Sequence, residues 1–417
     1  MTTAGSAPED APQGGVFAHR PYALFWAARV TGTMALQMSA VAVGWQVYSL
    51  TRQPLDLGLI GLTQFLPAVG LALPAGQLID LLDRRLVALA CLGVELLAAI
   101  FLAGYALAGP VATWPIFVAI FVLGVSYAFH APANSALMPN LVPARLFPTA
   151  VAWSSSGFQG ATIIGPAAGG LLYAFGAPVV YLVVSALLAI AACLILAVRP
   201  PVQAPRARVR FEPGQIFDGL RFIWSRPIVL GAISLDLFAV LLGGATALLP
   251  AIAADVLLVG PWALGLLRSA PALGALVVGV WLARHPLRQH VGLIMFASVA
   301  VFGLSTIVFG LSTSLVTSGI ALVMLGASDM VSVVIRQTLV QLATPDAMRG
   351  RVSSVNFIFI GTSNQLGEFE SGLTAHWLGV VPAVIVGGIG TLLVVALWAW
   401  RFPDLRRART LDLAEHG

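Results

Sequence analysis

The chain has 417 residues, of which 59% are hydrophobic and 9% charged, with a formal net charge of +5 and a mean hydropathy of +0.94. A water-soluble globule carries about 25% charged residues, so this composition excludes a soluble enzyme or a soluble nucleic-acid-binding domain and predicts a bilayer protein. All 22 basic residues are arginines, a habit of GC-rich bacterial genomes and not a nucleic-acid footprint.

The first 21 residues are polar and contain prolines, without the basic, apolar and small-residue segments of a removable signal peptide. They read as an N-terminal cytoplasmic tail. A spanning helix needs about 20 mostly apolar residues, and twelve candidates follow at 22–50, 56–81, 86–108, 113–138, 149–176, 177–198, 228–254, 262–284, 288–311, 315–338, 349–378 and 380–400. Six form an N-terminal bundle over 22–198 and six a C-terminal bundle over 228–402, with a tail at 403–417. The linker at 199–227 opens with a proline-rich basic stretch. Within it Ile216, Phe217, Leu220, Ile223 and Trp224 recur at helical spacing opposite Asp218 and Arg221, which predicts a short surface helix.

Charge sets the expected orientation. The breaks after the odd-numbered spans hold one basic residue, Arg52, whereas eighteen arginines fall in the alternate breaks and the tails. Positive charge marks the cytoplasmic side, so both termini and the linker are expected in the cytoplasm of a bacterium, with the spans in its inner membrane.

The chain repeats itself. Pro143, Gly165 and Gly170 return 202 residues later as Pro345, Gly367 and Gly372, and the frame Gly61-Leu62, Pro67-Ala68, Gly70 returns 204 residues later as Gly265-Leu266, Pro271-Ala272, Gly274. Two echoes at nearly one period indicate a duplication.

Gly76-Gln77-Leu78-Ile79-Asp80-Leu81-Leu82-Asp83-Arg84-Arg85 closes the second span. Gly76 permits close helix approach, and Asp80 can accept from the free amides of a neighbouring helix N-terminus. This stretch resembles the signature of the major facilitator superfamily, with Leu81 and Asp83 departing from its pattern. Further similarity lies in ARVTGTMALQMSAVAVGWQVYSLT, GLRFIWSRPIV and TPDAMRGRVSSV, and points to the siderophore-exporter and drug-efflux branch. The resemblance implies an all-α polytopic fold of twelve transmembrane helices in two pseudo-symmetric six-helix bundles. It also implies a cytoplasmic gate at Gly76, Asp80, Asp83, Arg84 and Arg85; a solvated Asp/Arg cluster is the plainer alternative. The repeat puts Arg284 opposite Asp80, against a symmetric latch.

Gly165, Pro166, Gly169 and Gly170 in span five resemble the glycine-proline motif of exporters in this superfamily. Proline removes a helical hydrogen bond and the glycines allow close packing. The echo in span eleven replaces Pro166 and Ala168 by Glu368 and Glu370. Ionisable groups inside a span are functional candidates by default, and two residues two apart face different directions on a helix. Arg29, Asp236, Asp329 and Arg336 are the remaining candidates for substrate or proton coupling. Asp329 and Arg336 are seven apart and share a helix face, and Asp236 has no partner in its own helix. A charge-pair gate that never touches cargo is the alternative for this group. Span four has His130 in place of the arginine usual in proton-coupled relatives, a residue that is either a satisfied core histidine or a titrating one. Glu95 and Arg268 have no sequence-local partner.

Cys91 and Cys193 lie in apolar runs, so neither a disulfide nor a metal site is indicated, and no cofactor motif, phosphate-binding glycine loop or hydrolase elbow occurs. The expected function is secondary active export of a small amphipathic solute, a siderophore or hydrophobic drug-like compound, by proton exchange in a monomer. An importer or uniporter of the same fold is the near alternative; a non-transporting sensor or a membrane-embedded enzyme would be of a different class.

Overall fold

The structure, a computed structural model, describes residues 15–199, 214–287 and 289–408, and these are helical with short connections. In the first half the long segments are α1 Arg20–Thr51, α2 Pro54–Leu81, α3 Arg84–Leu107, α4 Trp114–Leu137, α5 Phe147–Tyr173 and α6 Ala177–Ala197. The second half supplies α7 Pro227–Val256, α8 Pro261–Arg284, α9 Val291–Leu311, α10 Leu315–Ala343, α11 Asp346–Leu378 and α12 Val380–Arg401. Segment α7 breaks after Leu242 and ends in a π turn over Ile252–Val256.

Local sequence explains these boundaries. In lipid every backbone polar group must be paired within the segment, which only a helix or a closed barrel achieves. Prolines occupy the first turn of α1, α2, α4, α5, α6, α7 and α8, where a missing N–H costs nothing. Gly176 (φ 101°) and Gly379 (φ 90°) make the sharp turns after α5 and α11, in a left-handed region that an L residue rarely adopts. They are equivalent positions of the two halves.

Among the described residues nine helices are long and apolar enough to cross a membrane. The segments outside that set are α1, α5 and α11, which are rich in polar side chains. Many of these are satisfied internally: Tyr22 donates to Ala150 O at 2.6 Å, Tyr181 to Gln46 Oε1 at 2.7 Å, and Trp26 to Trp153 O at 2.8 Å.

Packing follows the duplication. In the first half α1 packs on α5 and α6, α2 on α4, and α3 on α4 and α6; adding six to each number gives the pairs observed in the second half. The fold is therefore two pseudo-symmetric six-helix bundles. They meet along α2–α11 and α5–α8, two pairs that exchange under the same operation.

Both crossings depend on glycine. Gly372 of α11 lies against Gly58 of α2, and Gly170 of α5 against Gly265 of α8; a Cβ at Gly265 would overlap Pro166 O, and one at Gly61 would sit 2.5 Å from the Glu368 carboxylate. Ser269 donates to Ile163 O at 2.6 Å and Gln159 to Ala272 O at 3.0 Å, tying α8 and α5 together. At the tip, Arg52 Nη1 lies 2.8 Å from Asp255 Oδ1, and the Tyr48 hydroxyl donates to Asp255 Oδ2. These contacts gather in the half of the molecule that holds the α1–α2 and α7–α8 turns. In the other half Gly70, Gly76 and Gly361 have no neighbour within 4 Å of an added Cβ.

The linker helix Gly214–Ser225 packs on α11 and α7, with Ile223 buried beside Val229 and Val352 and Trp224 exposed. The side chains of Ile216, Phe217 and Asp218 lie outside the described residues.

Candidate functional site

The most concentrated intramembrane charge lies inside the second bundle. Asp236 on α7 and Arg336 on α10 form a buried ion pair, Oδ2 to Nη2 at 3.1 Å. A second guanidinium nitrogen, Nη1, donates to Asn356 Oδ1 of α11 at 3.1 Å, and Nε has no partner among the described residues. Asp236 is thus paired, although nothing in its own helix neutralises it. Two turns before Arg336 on the same helix face, Asp329 lines a small cavity together with Asp236, Ser328 and Ser332. Val299 and Phe302 of α9 close it, and it has room for about one water.

Two consequences follow from this geometry. Asp236 contacts the Arg336 guanidinium and Asp329 lies within electrostatic reach of it, so the group holds one negative charge more than its cation neutralises unless a proton joins it. Its α9 wall places it within the second bundle and not on the surface between the bundles, where the superfamily resemblance puts the cargo cavity. Such a group suits the handling of a proton or a gating charge better than direct contact with a bulky solute.

Arg29 does not join this group. It lies on α1 and donates to Ser154 Oγ of α5 at 2.8 Å.

Glu368 and Glu370 part company as their spacing predicts. Glu368 faces α2 at Gly61, with Arg268 of α8 within electrostatic reach and the buried Gln365 Oε1 nearby without a partner among the described residues. Glu370 accepts from Thr374 Oγ1 at 2.7 Å, one turn along its own helix.

The candidate gate stretch has several distinct structural roles. Asp83 caps α3 by accepting from Arg85 N at 2.8 Å. Arg85 in turn reaches the C-terminal carbonyls of α6, with Nε to Ile195 O at 3.0 Å and Nη2 to Leu196 O. Arg84 donates to Ala136 O of α4 at 3.1 Å. The Asp80 side chain lies outside the described residues, and Gly76 has open space around it. In the α5 motif, Gly165 and Gly169 pack on Met34 and Met38 of α1, whereas Pro166 and Gly170 face α8.

Three features emerge only in three dimensions. The Tyr48–Arg52–Asp255 cluster joins the turns of the two bundles; its one sequence signal is that Arg52 is the lone arginine of its set of breaks. Arg268 faces Glu368, a relationship between helices that spacing cannot reveal. Glu95 finds His130 across α3 and α4, at 2.8 Å.

Twelve long helical segments in two related bundles, with glycine seams between them and ionisable groups inside, define a polytopic transporter of the major facilitator type. Residues 14–415 match the family described as transmembrane secretion effector, and the chain belongs to it. It is a membrane-embedded transporter for a small-molecule substrate and not an enzyme. Enterobactin exporter EntS of Shigella boydii serotype 18 and of Escherichia coli O81 are each 27% identical over 406 residues, covering 94% of either chain. Among solved structures, an inward-facing, unoccupied bacterial homologue of the human lysosomal transporter Spinster superposes with a TM-score of 0.69 at 15% identity, over 96% of this chain and 97% of that one. The nucleoside transporter NupG gives 0.68 at 14% identity, over 93% and 99%. These structural likenesses bear on the fold alone.

Proposed function

We propose that the protein exports a small amphipathic solute, of siderophore or hydrophobic drug-like type, by alternating access driven by proton exchange. The observation that carries the coupling is the pair Asp236 and Asp329 set against the single guanidinium of Arg336. One proton on the carboxylates balances the group, and its departure restores a net charge that the bundle must accommodate by moving. Similarity to the enterobactin exporters supports the direction and the solute class.

In this reading the arginine-rich end, with both termini and the linker, faces the cytoplasm of a bacterial inner membrane, and the monomer is the working unit. The glycine seams and the Arg52–Asp255 pair then close the opposite side, while solute enters from the cytoplasm. Asp236, Asp329 and Arg336 handle the proton. Glu368 belongs to the α2–α11 seam that must part when the other side opens, and Arg29 lies on the helix pair α1–α5 of the first bundle.

The test is proton movement in proteoliposomes of the purified protein, challenged with catecholate siderophores, macrolides and lipophilic cations. Solute-dependent proton flux is expected in the wild type and lost in Asp236→Asn. Well-folded Asp236→Asn protein that moves solute and protons at the wild-type rate would sink the coupling assignment. Solute movement without proton flux in the wild type would sink antiport itself.

A further inference from the structure

The first bundle contains a buried acid–imidazole pair that the transport reading above does not use. Glu95 on α3 is 3% exposed; its Oε1 lies 2.8 Å from His130 Nδ1 on α4 and accepts from Ser126 Oγ at 3.0 Å. Its second oxygen, Oε2, is buried with no partner among the described residues. Ser126 Oγ also lies 3.3 Å from Cys91 O, and its one proton serves the shorter contact.

The surroundings offer little to balance a charge. Ile79 of α2, Cys91 of α3, and Phe129 and Ala133 of α4 make one apolar cluster here. Besides Glu95 itself, α3 contributes the Cys91 thiol, and Arg84 at its start donates to Ala136 O, beyond His130 along α4. From α6, Tyr181 is engaged with Gln46 and Cys193 is exposed. From α2, the side chain of Asp80 lies outside the described residues.

Charge balance makes the pair a proton site. At 2.8 Å one hydrogen must lie between Nδ1 and the carboxylate oxygen, so the charge of the pair turns on Nε2. With Nε2 bare the pair carries one negative charge; with Nε2 protonated it is neutral. A net charge in a poorly solvated interior is costly and a neutral hydrogen-bonded pair much less so, and the orphaned Oε2 leaves the anionic form without the donor that would offset that cost. The imidazole remains 14% exposed, so it is less enclosed than Glu95.

The pair is also mechanically connected. One and a half turns before His130, Gly124 of α4 lies directly on Gln64 O and Pro67 of α2. Gln64 is a turn away from Gly61, the residue that receives Glu368 of α11. Pro132, two residues beyond His130, removes a helical hydrogen bond and loosens α4 at this point.

We infer that Glu95 and His130 form a proton-binding site in the first bundle, separate from the aspartates of the second, and that its occupancy biases the α2–α11 crossing through the α4–α2 contact. The proton site stands apart from the proposed transport cycle; only the bias on the crossing rests on it.

The test uses full-length protein in nanodiscs, labelled with 15N-histidine and titrated from about pH 8 to about pH 5. The His130 resonance is assigned by its loss in His130→Gln. It is expected to pass from neutral to doubly protonated imidazole in this window, and Glu95→Gln is expected to weaken proton binding about tenfold by removing the neighbouring negative charge. A ring that keeps one protonation state throughout, or titrates identically in folded Glu95→Gln protein, overturns the site. If Glu95→Gln does not fold, Ser126→Ala keeps both members of the pair; loss of a donor to Oε1 is expected to strengthen proton binding at His130, and an unchanged titration overturns the site. In the second arm, spin labels at Gln53 and Leu258, in a Cys193→Ser background, report the distance between the turns of the two bundles. A pH-dependent distance change that His130→Gln abolishes supports the bias. Titration of His130 with no change in that distance keeps the proton site and overturns the bias. Neither arm requires a cargo, so an error in the solute or in the coupling of the aspartates leaves both readouts intact.

Discussion

Glu368 on α11 stands where the pseudo-symmetry of the bundles puts Pro166 on α5, each set against a glycine of the facing helix, Gly61 on α2 and Gly265 on α8. One crossing is backbone against backbone, and the other carries a carboxylate with Arg268 within electrostatic reach. The buried carboxylate therefore lies in one seam only, while the arginine facing it belongs to α8 of the other. Opening α2–α11 exposes or re-pairs that carboxylate.

The two seams should respond differently to the same change. Gly265→Ala drives a methyl group into the backbone of Pro166 and Gly170, which cannot yield, and is expected to cost about 1–3 kcal/mol and to hold the bundles apart. Gly61→Ala meets chiefly the flexible end of Glu368, so the cost should be smaller. Thermal unfolding in detergent, with cross-linking between α5 and α8, checks the order; equal effects would show that the two seams are mechanically alike.

Removing Arg336 leaves two carboxylates without their cation. Arg336→Met should destabilise the protein by about 3–5 kcal/mol, the usual result of orphaning a buried charge. Asp236→Asn should cost less, since Arg336 retains Asn356 and Asp329 remains in the same cavity group. The double variant Asp236→Asn/Arg336→Met should recover part of the loss. A double variant as unstable as the sum of the singles would show that the two residues act independently.

The Arg52–Asp255 pair joins turns of the two bundles, yet its side chains are 63% and 44% exposed. Arg52→Ala should therefore change stability by less than about 1 kcal/mol. Its effect should appear in conformation: faster modification of a cysteine placed at Gln53, and a weaker response of that rate to added salt than in the same background with Arg52 present. Unchanged rates would remove this pair from the closure.

Asp83 supplies a helix cap and its neighbour Arg85 caps α6. Asp83→Ala should cost about 1 kcal/mol, as loss of an N-cap does, with transport kept within about twofold once the protein is folded. Loss of transport without loss of stability would restore the latch role that the sequence pattern suggests.

The twelve segments were legible because a helix in lipid must close its own hydrogen bonds and most of these segments are long and apolar. The duplication was legible too: the echoed Gly61 and Gly265, and Gly170 and Gly372, are the residues that bring the bundles together. Partners were not. Asp236 and Arg336 are 100 residues apart, and Glu95 finds His130 across a helix pair whose relative rotation no periodicity specifies. Capping by Asp83 was hidden for another reason, since a short acid before two arginines fits a solvated cluster, a latch and a helix cap equally well. Arg29 and Glu370 read as members of a cavity set; their hydrogen-bond partners, Ser154 and Thr374, lie outside the Asp236–Asp329–Arg336 group, which spacing does not reveal.

At Gly58–Gly372 and Gly170–Gly265 the bundles touch through bare main chain, with no side chains meshed like teeth. Contacts of this kind behave as bearings: one bundle can roll on the other with no rotamer to flip and no knob to lift from its hole. Resistance to the rolling then falls on a few polar pins, the bonds of Gln159 and Ser269 and the tip cluster at Asp255. The rate of switching should accordingly be tunable pin by pin, with the architecture of either bundle left untouched.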